Sequence, residues 1–149
     1  MIAFFTEEVD FSLKDKMKIK RWLREVAIIL GRPSSFKIKD VNYIFCSDDY
    51  LLAINRQYLG HDYYTDIITF DESSDADRKR NTVSADIYIS IDTVKANAIT
   101  YKEGFDRELK RVMAHGILHL IGYDDVAESK RKQMQLAENK ALDLYETIQ

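Results

Sequence analysis

Little in this chain interrupts regular structure: 149 residues contain one proline and five glycines. That scarcity excludes a flexible or proline-rich linker and a low-complexity tract. With no linker to divide it, the chain is read as one domain, residues 1–149, a length that suits a single core. A single cysteine, Cys46, excludes an intramolecular disulfide. It lies in the apolar run VNYIFCS, so a buried thiol in a reducing compartment is expected. No stretch approaches the roughly 18 apolar residues of a membrane-spanning helix. The start, MIAFFTEEVDF, lacks the basic and apolar regions of a signal peptide. A cytoplasmic protein with no membrane partner is expected. Positive charge is not in excess either: 22 Lys and Arg face 25 Asp and Glu, a net charge of -3. Any nucleic-acid role must therefore rest on local patches.

What is present is regular patterning. IAFFT (2–6), FKIKDVNYIFC (36–46), TDIITFD (65–71) and ADIYIS (85–90) read as strands. The second becomes apolar on both faces, as a central strand does. Helices are expected over Lys14–Leu30, from the Ser47 cap to about Leu59, from Ser90 or Asp92 to about Tyr101, over Phe105–Ile121 and over Ala127–Thr147. In the first, Met17, Trp22, Val26, Ile29 and Leu30 form the apolar stripe, and Gly31 with Pro33 ends it. In the last, Met134, Ala137, Ala141, Leu142 and Tyr145 share one side. ESSDADRKRNTV (72–83) reads as a polar loop. The expected fold class is α+β: a four-stranded mixed sheet packed with about five helices.

Histidine is scarce, with three in the chain, yet two of them stand four apart in HGILHLIGYDD (115–125). On a helix, positions i and i+4 share a face, so His115 and His119 can point two imidazoles at one ion. Gly122 breaks the helix, and Asp125 follows six residues after His119. A helical pair, a glycine turn and then an acid is the geometry that closes a three-ligand zinc site with an open position. In H-E-x-x-H peptidases the residue after the first histidine is the general base. Here it is Gly116, so a peptidase reading lacks its base. Two histidines and a carboxylate also suit iron(II), whose triads usually use wider spacing.

HGILHLIGYDD resembles the H-G-x-L-H-L-x-G-Y-D-H signature of the YbeY family of bacterial metal-dependent endoribonucleases. INRQYLGHDYYTDIITFD (54–71) and ADIYISIDTVKANA (85–98) are similar to further segments of that family, in the same order. The resemblance implies a zincin-like metal-site helix. It implies one Zn2+ held at the positions of His115, His119 and Asp125, and a part in ribosomal RNA maturation. The implied partners are single-stranded RNA, precursor ribosomal RNA and the small ribosomal subunit, with no DNA. Asp125 stands where the family has a third histidine. An anionic ligand lowers the charge at the metal, so bound water would be a weaker acid and harder divalent ions gain ground. Leu59 stands where the family carries an arginine expected to meet the scissile phosphate, and Arg56 lies one turn earlier. Ala85 replaces a family glycine.

Several patches could serve RNA. Lys14, Lys18 and Arg21 share one face of the first helix, Lys16, Lys20 and Arg24 a neighbouring one, and Lys37 and Lys39 follow on the next strand. Tyr63 and Tyr64 could stack on bases or cover the core. His61 reads as a surface residue. The alternatives to an endoribonuclease are a non-catalytic ribosome-assembly factor with a structural metal and, third, a metallopeptidase.

Overall fold

A computed structural model describes all 149 residues. Four strands, β1 (Ile2–Glu7), β2 (Lys37–Cys46), β3 (Ile67–Asp71) and β4 (Thr82–Ser90), form one sheet in the order β1-β2-β4-β3. The β1–β2 and β2–β4 pairs are parallel and β3–β4 is antiparallel, so the sheet is mixed. The doubly apolar second strand is interior, as its sequence requires.

Six helices accompany the sheet: α1 (Lys16–Leu30), α2 (Asp48–Ile54), α3 (Asp75–Lys79), α4 (Ile91–Thr100), α5 (Phe105–Leu120) and α6 (Glu128–Thr147). The sixth is α3, inside the segment read as a polar loop. Ser74 caps it by accepting a hydrogen bond from the Asp77 N–H. The same segment gives its last residues to β4, which begins at Thr82 because Lys37 and Ile38 of β2 pair with Thr82 and Val83. The Ser47 helix ends in a wider π-type turn, Asn55–Leu59, and closes on Gly60 at φ 66. Ser90, rather than Asp92, caps α4.

Val41, Tyr43, Phe45, Ile87 and Ile89 point from β2 and β4 into the main core, under α1, α5 and α6. The Tyr43 hydroxyl crosses that layer and donates to the Met113 carbonyl of α5 at 2.7 Å. A smaller cluster, Cys46, Leu51 and Ile68, fills the opposite face beneath α2. Burial there pushes the Cys46 thiol up to about 12, with nearby Asp48 and Asp92 adding to it, so the thiol is inert. The apolar face of α1 is Ile19, Trp22, Leu23, Val26 and Ala27. Met17 and Ile29 of the expected stripe are exposed instead, because the spacing 19-22-23-26-27 tracks the helical repeat more closely. On α6 the expected stripe holds, with Glu138 added to it. Trp22 joins the two helices, donating from Nε1 to the Ala141 carbonyl at 2.7 Å.

Candidate metal centre

The helix α5 is two-sided. Leu109, Val112, Met113, Gly116 and Ile117 are buried against the sheet and its neighbours. Glu108, Arg111, His115 and His119 recur at three- and four-residue spacing along another stripe, so they line up on one face. Gly116 shows how close the packing is. A Cβ there would meet Ile87 Cδ1 at 3.0 Å and Ile67 Cδ1 at 3.2 Å. The position that bears the base in zinc peptidases therefore faces the apolar sheet, where even a Cβ presses on Ile87 and Ile67 and a carboxylate would have no polar partner among them.

Past α5 the chain turns at Gly122, φ 112, where a Cβ would meet the Arg32 carbonyl at 2.7 Å. Glycine is required for both reasons. The turn is fastened to the end of α1: Arg32 N–H donates to the Ile121 carbonyl and the Tyr123 hydroxyl to the Leu30 carbonyl, each at 2.9 Å. This anchoring returns Asp125 to the histidines. Asp125 Oδ2 lies 3.3 Å from His115 Nε2 and 3.4 Å from His119 Nε2. The two Nε2 atoms are 3.0 Å apart, and one donor atom from each residue falls within 4.8 Å of the others. Asp124 turns elsewhere, its Oδ1 accepting from Val126 N–H at 2.8 Å.

Glu138, which the sequence reading does not single out, completes the arrangement. His115 Nδ1 donates to its Oε2 at 2.6 Å. That bond fixes the tautomer and leaves the Nε2 lone pair facing His119 and Asp125, the arrangement in which a carboxylate orients a metal-ligating imidazole. Burial depresses the basicity of His115, but the Glu138 hydrogen bond and the charges of Glu138, Asp125 and Asp66 outweigh it, leaving the pKa raised. Two imidazole nitrogens, one carboxylate oxygen and a carboxylate behind the first ring form a donor set that fits a zinc-like divalent ion.

Two clefts open beside the triad, and His115, Asp125 and Asp66 line both. The first, about 520 Å³, is acidic: Glu103, Glu108 and Glu138 surround Arg111. Arg111 lies 3.2 Å from Glu103 Oε1, 3.6 Å from Glu138 Oε1 and 3.8 Å from Glu108 Oε1. Burial pushes Glu108 up to about 7 despite Arg111, and its Oε1 has no hydrogen-bond partner. Burial also raises Asp66. The second cleft, about 440 Å³, runs past His119 to Leu120 and Asp71.

The other residues singled out in the sequence lie outside both clefts. Arg56 pairs with Asp62, and Leu59 is exposed. Lys18 sits 4.2 Å above the Tyr145 ring, Arg21 bonds the Gln149 carbonyl and Lys39 pairs with Asp77. Tyr63 and Tyr64 are exposed rather than core residues, and His61 stacks on Tyr63. Ala85 is buried in the sheet.

Comparison with known proteins agrees with this architecture. The family model described as Endoribonuclease YbeY matches residues 3–146. An Endoribonuclease YbeY of Phocaeicola vulgatus is 48% identical over 97% of this chain and 98% of its own length. Those of Parabacteroides distasonis and Flavobacterium psychrophilum are 43% and 39% identical, over 95% and 97% of this chain and 93% and 97% of theirs. The solution structure of TM1509 from Thermotoga maritima superposes with a TM-score of 0.64 at 28% identity, covering 97% of this chain and 89% of that one. On this match across nearly its whole length, the chain belongs to the Endoribonuclease YbeY family.

Proposed function

We propose that this chain is a metal-dependent endoribonuclease that cuts single-stranded RNA in the cytoplasm, acting on precursor ribosomal RNA at the small subunit. The observation that carries the reading is the convergence of His115, His119 and Asp125, with Glu138 behind His115. These three residues would hold one divalent ion, Zn2+ first among candidates. Such an ion supplies Lewis acidity toward a phosphoryl oxygen and makes water more acidic at neutral pH.

The residues around it have their own tasks. Glu138 holds the Nδ1 proton of His115 and keeps Nε2 available. Asp125 adds negative charge, which moderates the ion's electrophilicity and widens the choice toward harder metals. Asp66, on the wall of both clefts, lies where it can take up or return a proton. The packing of Gly116 against Ile87 and Ile67 argues against peptidase chemistry.

The test is cleavage of single-stranded RNA, duplex RNA and a casein-like peptide by metal-loaded protein, with and without chelator. Chelator-sensitive cutting of the single strand alone supports the reading. RNA binding with no cutting would make the protein a non-catalytic assembly factor, and peptide hydrolysis would contradict the reading outright.

A further inference from the structure

Breaking a phosphodiester builds negative charge on the phosphoryl oxygens, and a preorganised cation at that point is a large part of such catalysis. The clefts beside the triad are acidic, which makes the position of each free guanidinium decisive. Arg111 is enclosed by the carboxylates of Glu103, Glu108 and Glu138, and Arg56 is engaged by Asp62, which lines neither cleft. Arg78, in the short helix α3, differs from both. It pairs with Asp71 and donates from Nη1 to the Leu120 carbonyl at 3.4 Å. Asp71 and Leu120 both line the second cleft together with His115, His119 and Asp125, and Leu120 directly follows His119. The guanidinium thus sits directly behind two wall residues of the metal cleft, bonded to both.

The Arg78 side chain is 42% exposed and that of Asp71 39%, and an ion pair so open to water is weak. Asp71 does not depend on it, because its other oxygen accepts from Ser73 N–H at 2.9 Å. A phosphate, which matches the guanidinium fork through two parallel hydrogen bonds, competes well for such a partner. We propose that Arg78 is the phosphate-binding residue of this site, leaving Asp71 to grip a phosphate of the RNA strand lying in the cleft. This rests on the endoribonuclease reading above.

Metal-loaded wild type, Arg78→Gln, Arg78→Lys and, as a control, the exposed Lys95→Gln would be titrated with a short single-stranded RNA carrying 2′-O-methyl riboses, over a range of salt. Arg78→Gln should lower the slope of log affinity against log salt by about 0.7, the value for one phosphate contact on a single strand, and Lys95→Gln should not change it. On unmodified RNA, Arg78→Gln should cut about 10²-fold more slowly with metal content unchanged. Free guanidinium ion should restore part of the rate to Arg78→Ala, which loss of a merely structural bond to Leu120 would not allow. Should Arg78→Gln fail to fold, Arg78→Lys carries the test: an unchanged slope with a reduced rate supports the assignment, and a wild-type rate overturns it. A wild-type slope in folded Arg78→Gln also overturns it and leaves the nuclease reading intact. A reduced slope with no cutting by wild type keeps the phosphate contact and sinks the nuclease reading.

Discussion

Glu108→Gln should stabilise the protein at neutral pH and do almost nothing in acid. Glu108 is 3% exposed, and its nearest counter-charge, Arg111 Nε, is 3.8 Å away. Burial is the main reason its carboxyl rises from the ordinary 4.5 to about 7; Arg111 opposes the rise, and Glu103, Asp66 and Glu138 add to it. An acid whose folded pKa is raised is held protonated by the native state over a window where the unfolded chain has already released the proton. Stability therefore falls as pH climbs from 4.5 to about 7. At about 1.36 kcal/mol per pH unit, that window removes about 3 kcal/mol. Glutamine keeps the shape and cannot ionise. Metal-free wild type and variant, unfolded in urea or by heat at matched pH values, should differ little near pH 4.5. The variant should gain about 3 kcal/mol by pH 7 and hold that lead beyond it. For a chain of this size the gain corresponds to roughly 6–12 °C in Tm. His115 and Asp66 titrate in both proteins, so the main part of the difference comes from Glu108. A gap that stays constant, or one that favours wild type as pH rises, would refute the account of the acidic cleft.

Other substitutions test the triad and its support. Glu138→Gln removes the carboxylate behind His115 and should weaken metal binding about 10- to 100-fold, as read by competition with a chromophoric chelator. Asp125→Asn should lower metal content strongly, Asp124→Asn should lower it far less because Asp124 bonds the Val126 N–H, and Asp125→His should keep or tighten binding. Greater sensitivity at Asp124 would show the register to be wrong. Gly116→Glu forces an unpaired carboxylate against Ile87 and Ile67 and should destabilise by roughly 3 kcal/mol or more. A stable Gly116→Glu protein with peptidase activity would contradict the packing described.

Much of this was legible because local chemistry and the fold agree. The alternation and apolar end of β2 marked an interior strand, and the i, i+4 histidines with a glycine turn marked the candidate centre. Three features were harder. The α3 helix is five residues long and too polar to show a buried stripe, although Ser74 followed three residues later by Asp77 carries a capping signature. The face of α1 was misjudged because Met17, Ile28 and Ile29 place apolar groups on its solvent side, where hydrophobicity alone carries no burial information. Glu138 reaches His115, and Arg78 reaches the cleft residues Asp71 and Leu120, through tertiary contacts between elements distant in sequence. The one local sign for Glu138 is an acid set within the apolar stripe 134-137-141-142-145, a place where a charge is rarely left without a partner.

The central claim is that an ion held by His115, His119 and Asp125 is what lets this chain cut RNA. The most direct measurement is the rate of single-strand cleavage by metal-stripped protein as zinc is added back, for wild type and for a His119→Ala protein that remains folded by circular dichroism. The account predicts a wild-type rate that rises in proportion to bound metal and stops at about one ion per chain, with no cleavage by His119→Ala. Equal cleavage by both proteins, or a rate indifferent to bound metal, would contradict it.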